Sequence, residues 1–203
     1  MTLFETRIWR AMIEDPQTLN ADIAAAAKAF ASDDAAGEAW CRENAYPGYT
    51  SYGSLEDLPT RATCFSVLKR RLDREVAAFA EDLAFDLGRG RLSLDNLWVN
   101  RLNPGGFHAG HIHPYSVISG TYYVNAPKGA ASLKFEDPRH AMMMAAPPRR
   151  EDAPEALRPF VYVEPAPGLI VLWESFLRHE VPRNLSRRPR VSVSFNYRWR
   201  GAT

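Results

Sequence analysis

Phe65, Leu68, Leu72, Val76, Phe79 and Leu83 recur at steps of three and four, so one apolar stripe runs along a helix while Lys69, Arg70, Arg74 and Glu81 take its other faces. The pattern predicts a helix from about Thr63 to Leu87, stopped by Gly88, with its stripe buried against a sheet. Were that stripe exposed, either the helix register would be wrong or the stripe would belong to a dimer interface, which keeps a homodimer open. Upstream, the alanine-rich run from Thr18 to Ala31 consists of strong helix formers, with Thr18 or Asn20 as the cap and Asp33-Asp34 beyond its end. Between the two, Tyr46 to Gly53 has turn chemistry and no period, and reads as a loop that is either a lid or packed on the core.

The pattern changes near Gly88-Arg89-Gly90. From there on, short runs rich in Val, Ile, Tyr, Trp and Phe alternate with Pro and Gly: Asn96 to Leu102, Val117 to Val124, Ser132 to Glu136, Phe160 to Glu164, Leu169 to Trp173 and Val191 to Arg198. Several short strands with no helices between them favour antiparallel pairing. The predicted class is mainly β with N-terminal helices (α+β), built as a double-stranded β-helix, a cupin-like jelly roll. Residues 91–203 would form its core, residues 1–90 a helical support, and 1–203 a single domain. The segment Arg139 to Arg158 is long and aperiodic, and Met142-Met143-Met144 within it reads as apolar packing.

Composition adds limits. A chain of 203 residues that is 46% hydrophobic can bury one sizeable core. Its 25 basic and 24 acidic residues nearly cancel, which weighs against a nucleic-acid partner or a membrane surface recognised by bulk charge. No stretch approaches the roughly 18 apolar residues needed to span a bilayer. Met1 to Glu14 interleaves charges with apolar residues, unlike a signal peptide. Cys41 and Cys64 form no CxxC unit, and two ordinary buried thiols in a reducing, cytoplasmic setting is the expectation.

The residues that carry chemistry are few. His111 and His113 are two apart, so on an extended strand they point to one face and can grip one ion. They are expected at the start of the strand whose body is Ile118 to Val124. By itself this spacing is a weak motif, but His179 follows at the end of a distant strand, and a jelly roll gathers strand ends around one cavity. His108 has the opposite strand parity to the pair and reads as a rim histidine. Arg190, Ser192, Ser194 and Asn196 alternate with Val191, Val193 and Phe195, so one strand presents a polar row to a cavity. Arg190 offers a planar fork to a carboxylate, and Ser192 on the same face adds a hydroxyl. Tyr123, in phase with Ser119 and Thr121, is a further candidate contact, and Asn100 is in register to line the same space. There is no phosphate-binding glycine loop, Ser175 sits in no nucleophile elbow, and a zinc hydrolase would leave Arg190 and Ser192 unexplained.

In sequence the chain resembles the 2-oxoglutarate and Fe(II)-dependent oxygenase superfamily, in particular its bacterial "putative 2OG-Fe(II) oxygenase" family. The likeness rests on Trp98-Val99-Asn100, His111-Ile112-His113-Pro114, Ser119 to Val124, Phe135 to Arg139, Pro167-Gly168-Leu169, His179 to Pro182 and Arg190 to Asn196, in order across about half the chain. The resemblance implies Fe(II) on His111, His113 and His179, and 2-oxoglutarate as cosubstrate, held by Arg190 and Ser192 with Tyr123. It implies oxidation of a small-molecule or peptide substrate, with release of succinate and carbon dioxide. The superfamily uses His-x-Asp/Glu and a distal His, whereas here His113 occupies the carboxylate position. Three arrangements stay open: a working three-histidine iron centre, a metal-binding sensor or binding module without turnover, or a carboxylate such as Asp137 or Glu174 joining the site.

Overall fold

The computed structural model describes residues 1–201. In chain order the elements are β1 (Ile8–Met12), α1 (Gln17–Asp33), α2 (Ala35–Glu43), β2 (Gly48–Thr50), α3 (Leu58–Arg61), α4 (Thr63–Asp82), β3 (Arg91–Leu102), β4 (His108–His111), β5 (Ile118–Tyr123), β6 (Leu133–Glu136), β7 (Phe160–Val163), β8 (Leu169–Glu174), β9 (His179–Val181) and β10 (Arg190–Arg200). Two antiparallel sheets result, in the orders β1-β8-β5-β10-β3-β2 and β4-β9-β6-β7. Strands β3 to β10 form the eight-stranded double-stranded β-helix, and β1 and β2 extend the larger sheet at both edges. Residues 1–90 therefore supply sheet as well as helices.

The larger sheet is covered on both faces. Val191, Val193, Phe195 and Tyr197 of β10 join Leu97 and Val99 of β3 and Tyr122 of β5 in one core with α4. On the opposite face, Tyr123, Val171 and Trp173 pack with Leu133, Phe135 and Val181 of the smaller sheet. Burial on both sides explains why β8 reads as an unbroken apolar run from Leu169 to Trp173. Gly120 is required by this packing, because a Cβ there would meet the Phe195 ring at 2.4 Å.

The α4 stripe is buried as expected, with Phe65, Leu68, Leu72 and Phe79 at 0% exposure, so it offers no dimer face. The helix ends at Asp82, five residues before the expected Leu87. Its stop is Ala84 rather than Gly88. Ala84 takes a left-handed φ of 53° while its N–H donates to Glu81 C=O and the Phe85 N–H to Ala80 C=O, the paired bonds of a Schellman ending. Helix α1 spans the alanine run, but Thr18 and Asn20 lie inside it, and Asn20 instead accepts a hydrogen bond from Tyr122 Oη. Asp34 caps α2, accepting from the Gly37 N–H at 2.9 Å.

Other expectations need correction. The loop Tyr46 to Gly53 contains β2, which pairs with β3. Met142 and Met144 are 75% and 92% exposed, because the segment around them forms only isolated 3₁₀ turns on the surface. Cys41 and Cys64 are buried free thiols. Among the described residues, no helix is long and apolar enough to cross a membrane.

Candidate metal centre

Two of the three histidines are placed by strand pairing: His111 closes β4 directly opposite His179, the first residue of β9. His113 does not continue the strand. It lies in the turn beyond β4, where its N–H donates to the Ser175 carbonyl at 3.0 Å, and the strand with Ile118 to Tyr123 begins later in the other sheet. The expectation that one extended segment carries the pair and leads into β5 is corrected accordingly. The three side chains nevertheless converge, their nearest ligand atoms all lying within 4.8 Å of one another.

The imidazoles are prepared as neutral ligands. Nδ1–H of His111 donates to Ala109 C=O at 2.8 Å and Nδ1–H of His179 to Leu177 C=O at 3.0 Å, which leaves each Nε2 lone pair free for a metal. Burial, reinforced by the neighbouring His111, lowers the pKa of His113 to about 4 and that of His179 to about 3. Trp98 stacks on His113 and Trp173 meets His179 edge-on, with centroids 6.2 and 4.6 Å apart. No carboxylate joins the cluster among the described residues. Asp137 is engaged by Arg139, and Glu174 closes β8 outside the cluster. Three convergent imidazole donors on one side, and open space on the other, fit a divalent transition ion with exchangeable positions.

That open space is a cavity of about 450 Å³ between the sheets. Arg190, Ser192, Ser194 and Asn196 line it from β10, as their alternation predicts. Arg190 is 3% exposed, its Nη1 reaches only the Ala131 carbonyl at 3.4 Å, and its Nε has no partner. A buried guanidinium in this condition calls for an anion. Thr121 Oγ1 and Tyr123 Oη are also buried without partners. Tyr123 stands behind the cavity wall, with the Arg190 guanidinium 5.0 Å from its ring.

Sequence reasoning misplaced His108 and left Tyr46 unassigned. The β4–β9 ladder shifts register between His108 and His111, so simple alternation fails and His108 also lines the cavity. Tyr46 Oη lies 2.7 Å from His108 Nε2 and 3.2 Å from Asn100 Oδ1.

Solved structures share this fold. A Pseudomonas putida prolyl-4-hydroxylase superposes with a TM-score of 0.62 at 19% identity, covering 95% of this chain and 93% of its own. SnoN, a non-heme alpha ketoglutarate dependent epimerase from nogalamycin biosynthesis, gives 0.61 at 16% identity, covering 95% and 76%. SnoK, a carbocyclase of the same dependence and pathway, gives 0.59 at 13% identity, covering 95% and 79%. No curated protein matches the sequence. Residues 96–196, which run from the cavity face of β3 to that of β10 and include all three histidines and Arg190, match the family described as "Putative 2OG-Fe(II) oxygenase", and the chain belongs to the 2OG-Fe(II) oxygenases.

Proposed function

We propose that His111, His113 and His179 hold Fe(II), and that Arg190 and Ser192 hold the far carboxylate of 2-oxoglutarate, in an enzyme that oxidises, most simply by hydroxylation, a small-molecule or peptide substrate. The observation that carries this reading is the buried Arg190, whose Nε has no partner among the described residues, on the same cavity as three converging imidazoles. Iron with 2-oxoglutarate supplies oxygen activation, coupling decarboxylation of the cosubstrate to succinate with oxidation of the substrate.

The protein's own groups bind, orient and exclude water. The Ala109 and Leu177 carbonyls hold the His111 and His179 rings in the ligating tautomer. Arg190 offers a charged fork, with the Ser192 hydroxyl on the same face. Tyr123 acts from behind: its ring backs the guanidinium, and its unpaired hydroxyl is available to the cosubstrate once side chains adjust. Trp98 covers His113 and Trp173 covers His179, whereas His111 is exposed. Two free buried thiols favour a reducing, cytoplasmic setting.

The test is direct. Protein reconstituted anaerobically with Fe(II) and 2-oxoglutarate should form succinate when oxygen is admitted, at least slowly even without substrate. Succinate no higher than in a metal-free control would overturn the proposal.

A further inference from the structure

Oxidisable rings run in contact from the candidate metal centre to the surface. Trp98 lines the cavity and lies nearly parallel to the His113 imidazole, with centroids 6.2 Å apart and planes 25° from each other. Tyr52 meets Trp98 edge-on at 5.1 Å. Trp98 is 8% exposed, whereas Tyr52 is 52% exposed. Strand pairing sets up the contact. The Ser51 N–H donates to Val99 C=O and the Val99 N–H to Ser51 Oγ, both at 3.1 Å, so the chain leaves β2 with Tyr52 beside Trp98.

The opposite side of the centre offers no such exit. Trp173 meets His179, but it is buried, and its other ring contact is Phe135, which resists oxidation. Tryptophan and tyrosine give up an electron far more readily than phenylalanine, and electronic coupling falls steeply with distance, so touching Trp and Tyr rings are the path an electron takes. An oxidised tyrosine must also lose its phenol proton, and Tyr52 is open to water that can take it. Trp40, the other ring against Tyr52 at 6.0 Å, is only half-buried and lengthens the series sideways.

We propose that Trp98 and Tyr52 form an electron path that discharges the iron centre when it is oxidised with no substrate in the cavity. The inference rests on the iron site proposed above. Decarboxylation of 2-oxoglutarate by oxygen without substrate yields succinate, carbon dioxide and an iron centre two electrons above Fe(II). Trp98 gives the centre one electron and takes one from Tyr52, which passes its proton to water and is left as a neutral tyrosyl radical. A small reductant in solution, an enediol such as ascorbate or a thiol, returns a hydrogen atom to Tyr52 at the surface. A second pass restores Fe(II), and the remaining oxygen atom leaves as water, with protons drawn from solvent. Trp98, in the wall of the cavity, is spared lasting oxidation.

The experiment mixes Fe(II)-loaded protein and 2-oxoglutarate with oxygen in the absence of substrate. Frozen samples are read by electron paramagnetic resonance, oxidised residues are mapped by mass spectrometry, and succinate is measured alongside. Wild type should show a tyrosyl radical that ascorbate removes. Tyr52→Phe keeps the ring packing, and it should lose that radical and accumulate added oxygen on Trp98. Trp98→Phe should lose the radical too, but Tyr52→Phe decides the matter even if Trp98→Phe folds poorly. Tyr115→Phe, at an exposed tyrosine that lines the cavity outside the ring series, should keep the radical. Succinate without a radical in wild type, a radical that survives Tyr52→Phe, or equal oxidation of Trp98 in wild type and Tyr52→Phe would each overturn the inference. Absence of succinate from wild type would instead overturn the proposed function, and this inference with it.

Discussion

His111 and His179 stand directly opposite each other across β4 and β9, with ring centroids 4.4 Å apart. A backbone ladder thus fixes two of the proposed ligands, whereas His113 sits outside it, its N–H donating to the Ser175 carbonyl and its C=O accepting from the Ser116 N–H of a turn. His111→Ala or His179→Ala should lower Fe(II) affinity by at least about a hundredfold, beyond the usual cost of losing an outer partner of a ligand. His113→Ala should cost less. Metal titration of the purified variants checks this order, and full occupancy in His179→Ala would remove that residue from the site.

Replacing Arg190 should separate cosubstrate from metal. Arg190→Ala should leave metal uptake near wild type but weaken 2-oxoglutarate by about 2 to 5 kcal/mol, or roughly 30-fold to several-thousand-fold, the cost of removing one partner of a buried charge pair. Arg190→Lys should recover part of this, because the charge returns without the fork. The readout is the visible charge-transfer band of the anaerobic Fe(II) and 2-oxoglutarate complex. Equal binding by wild type and Arg190→Ala would exclude the assigned role.

Acid should destabilise the metal-free protein. With folded-state values of about 4 for His113 and about 3 for His179, the folded chain refuses protons that the unfolded chain accepts below roughly 6.5. The contribution is fully present above that value and is lost as pH falls toward 4. Thermal melts at about pH 7.5 and about pH 5 should therefore differ. His179→Gln should shrink the difference, and an unaltered difference in that variant would show that the acid sensitivity arises elsewhere.

Ala84 occupies a backbone conformation that suits glycine, at φ 53° in the ending of α4. Ala84→Gly should stabilise the protein by about 1 kcal/mol through relief of the left-handed conformation, raising Tm by about 2 to 4 °C in a chain of this size. Calorimetry would detect the shift. A drop in Tm would mean that unfolded-chain entropy outweighs the relief.

The sequence made some of this architecture legible and hid the rest for identifiable reasons. Alternation along β10 exposed the polar cavity row, because the other face of the strand packs on α4. The stripe of α4 was legible for the same reason, namely one face meeting one core. Strands β4 and β9 were not, since they are four and three residues long and carry the histidines where apolar residues would advertise a strand. His108 was misjudged because a register shift is a property of two paired chains, and neither strand shows it alone. Tyr46 belongs to a turn whose direction is set by the end of α2, a helix of nine residues with too little periodicity to stand out.

Strand β10 occupies the slot between β5 and β3, although it follows every other strand in the chain. Before it arrives, β3 and β5 face each other as two unpaired edges, and such edges are prone to wrong pairing. Arg190 and Ser192 arrive with the same strand, so the anion pocket cannot precede completion of the larger sheet. Pairing of Arg190–Arg200 with Arg91–Leu102 is also strongly non-local, which slows folding. With Arg190 in its proposed role, capacity to bind the cosubstrate would report on finished folding: a chain stalled before Arg190 could gather its histidines and still lack the group proposed to hold 2-oxoglutarate.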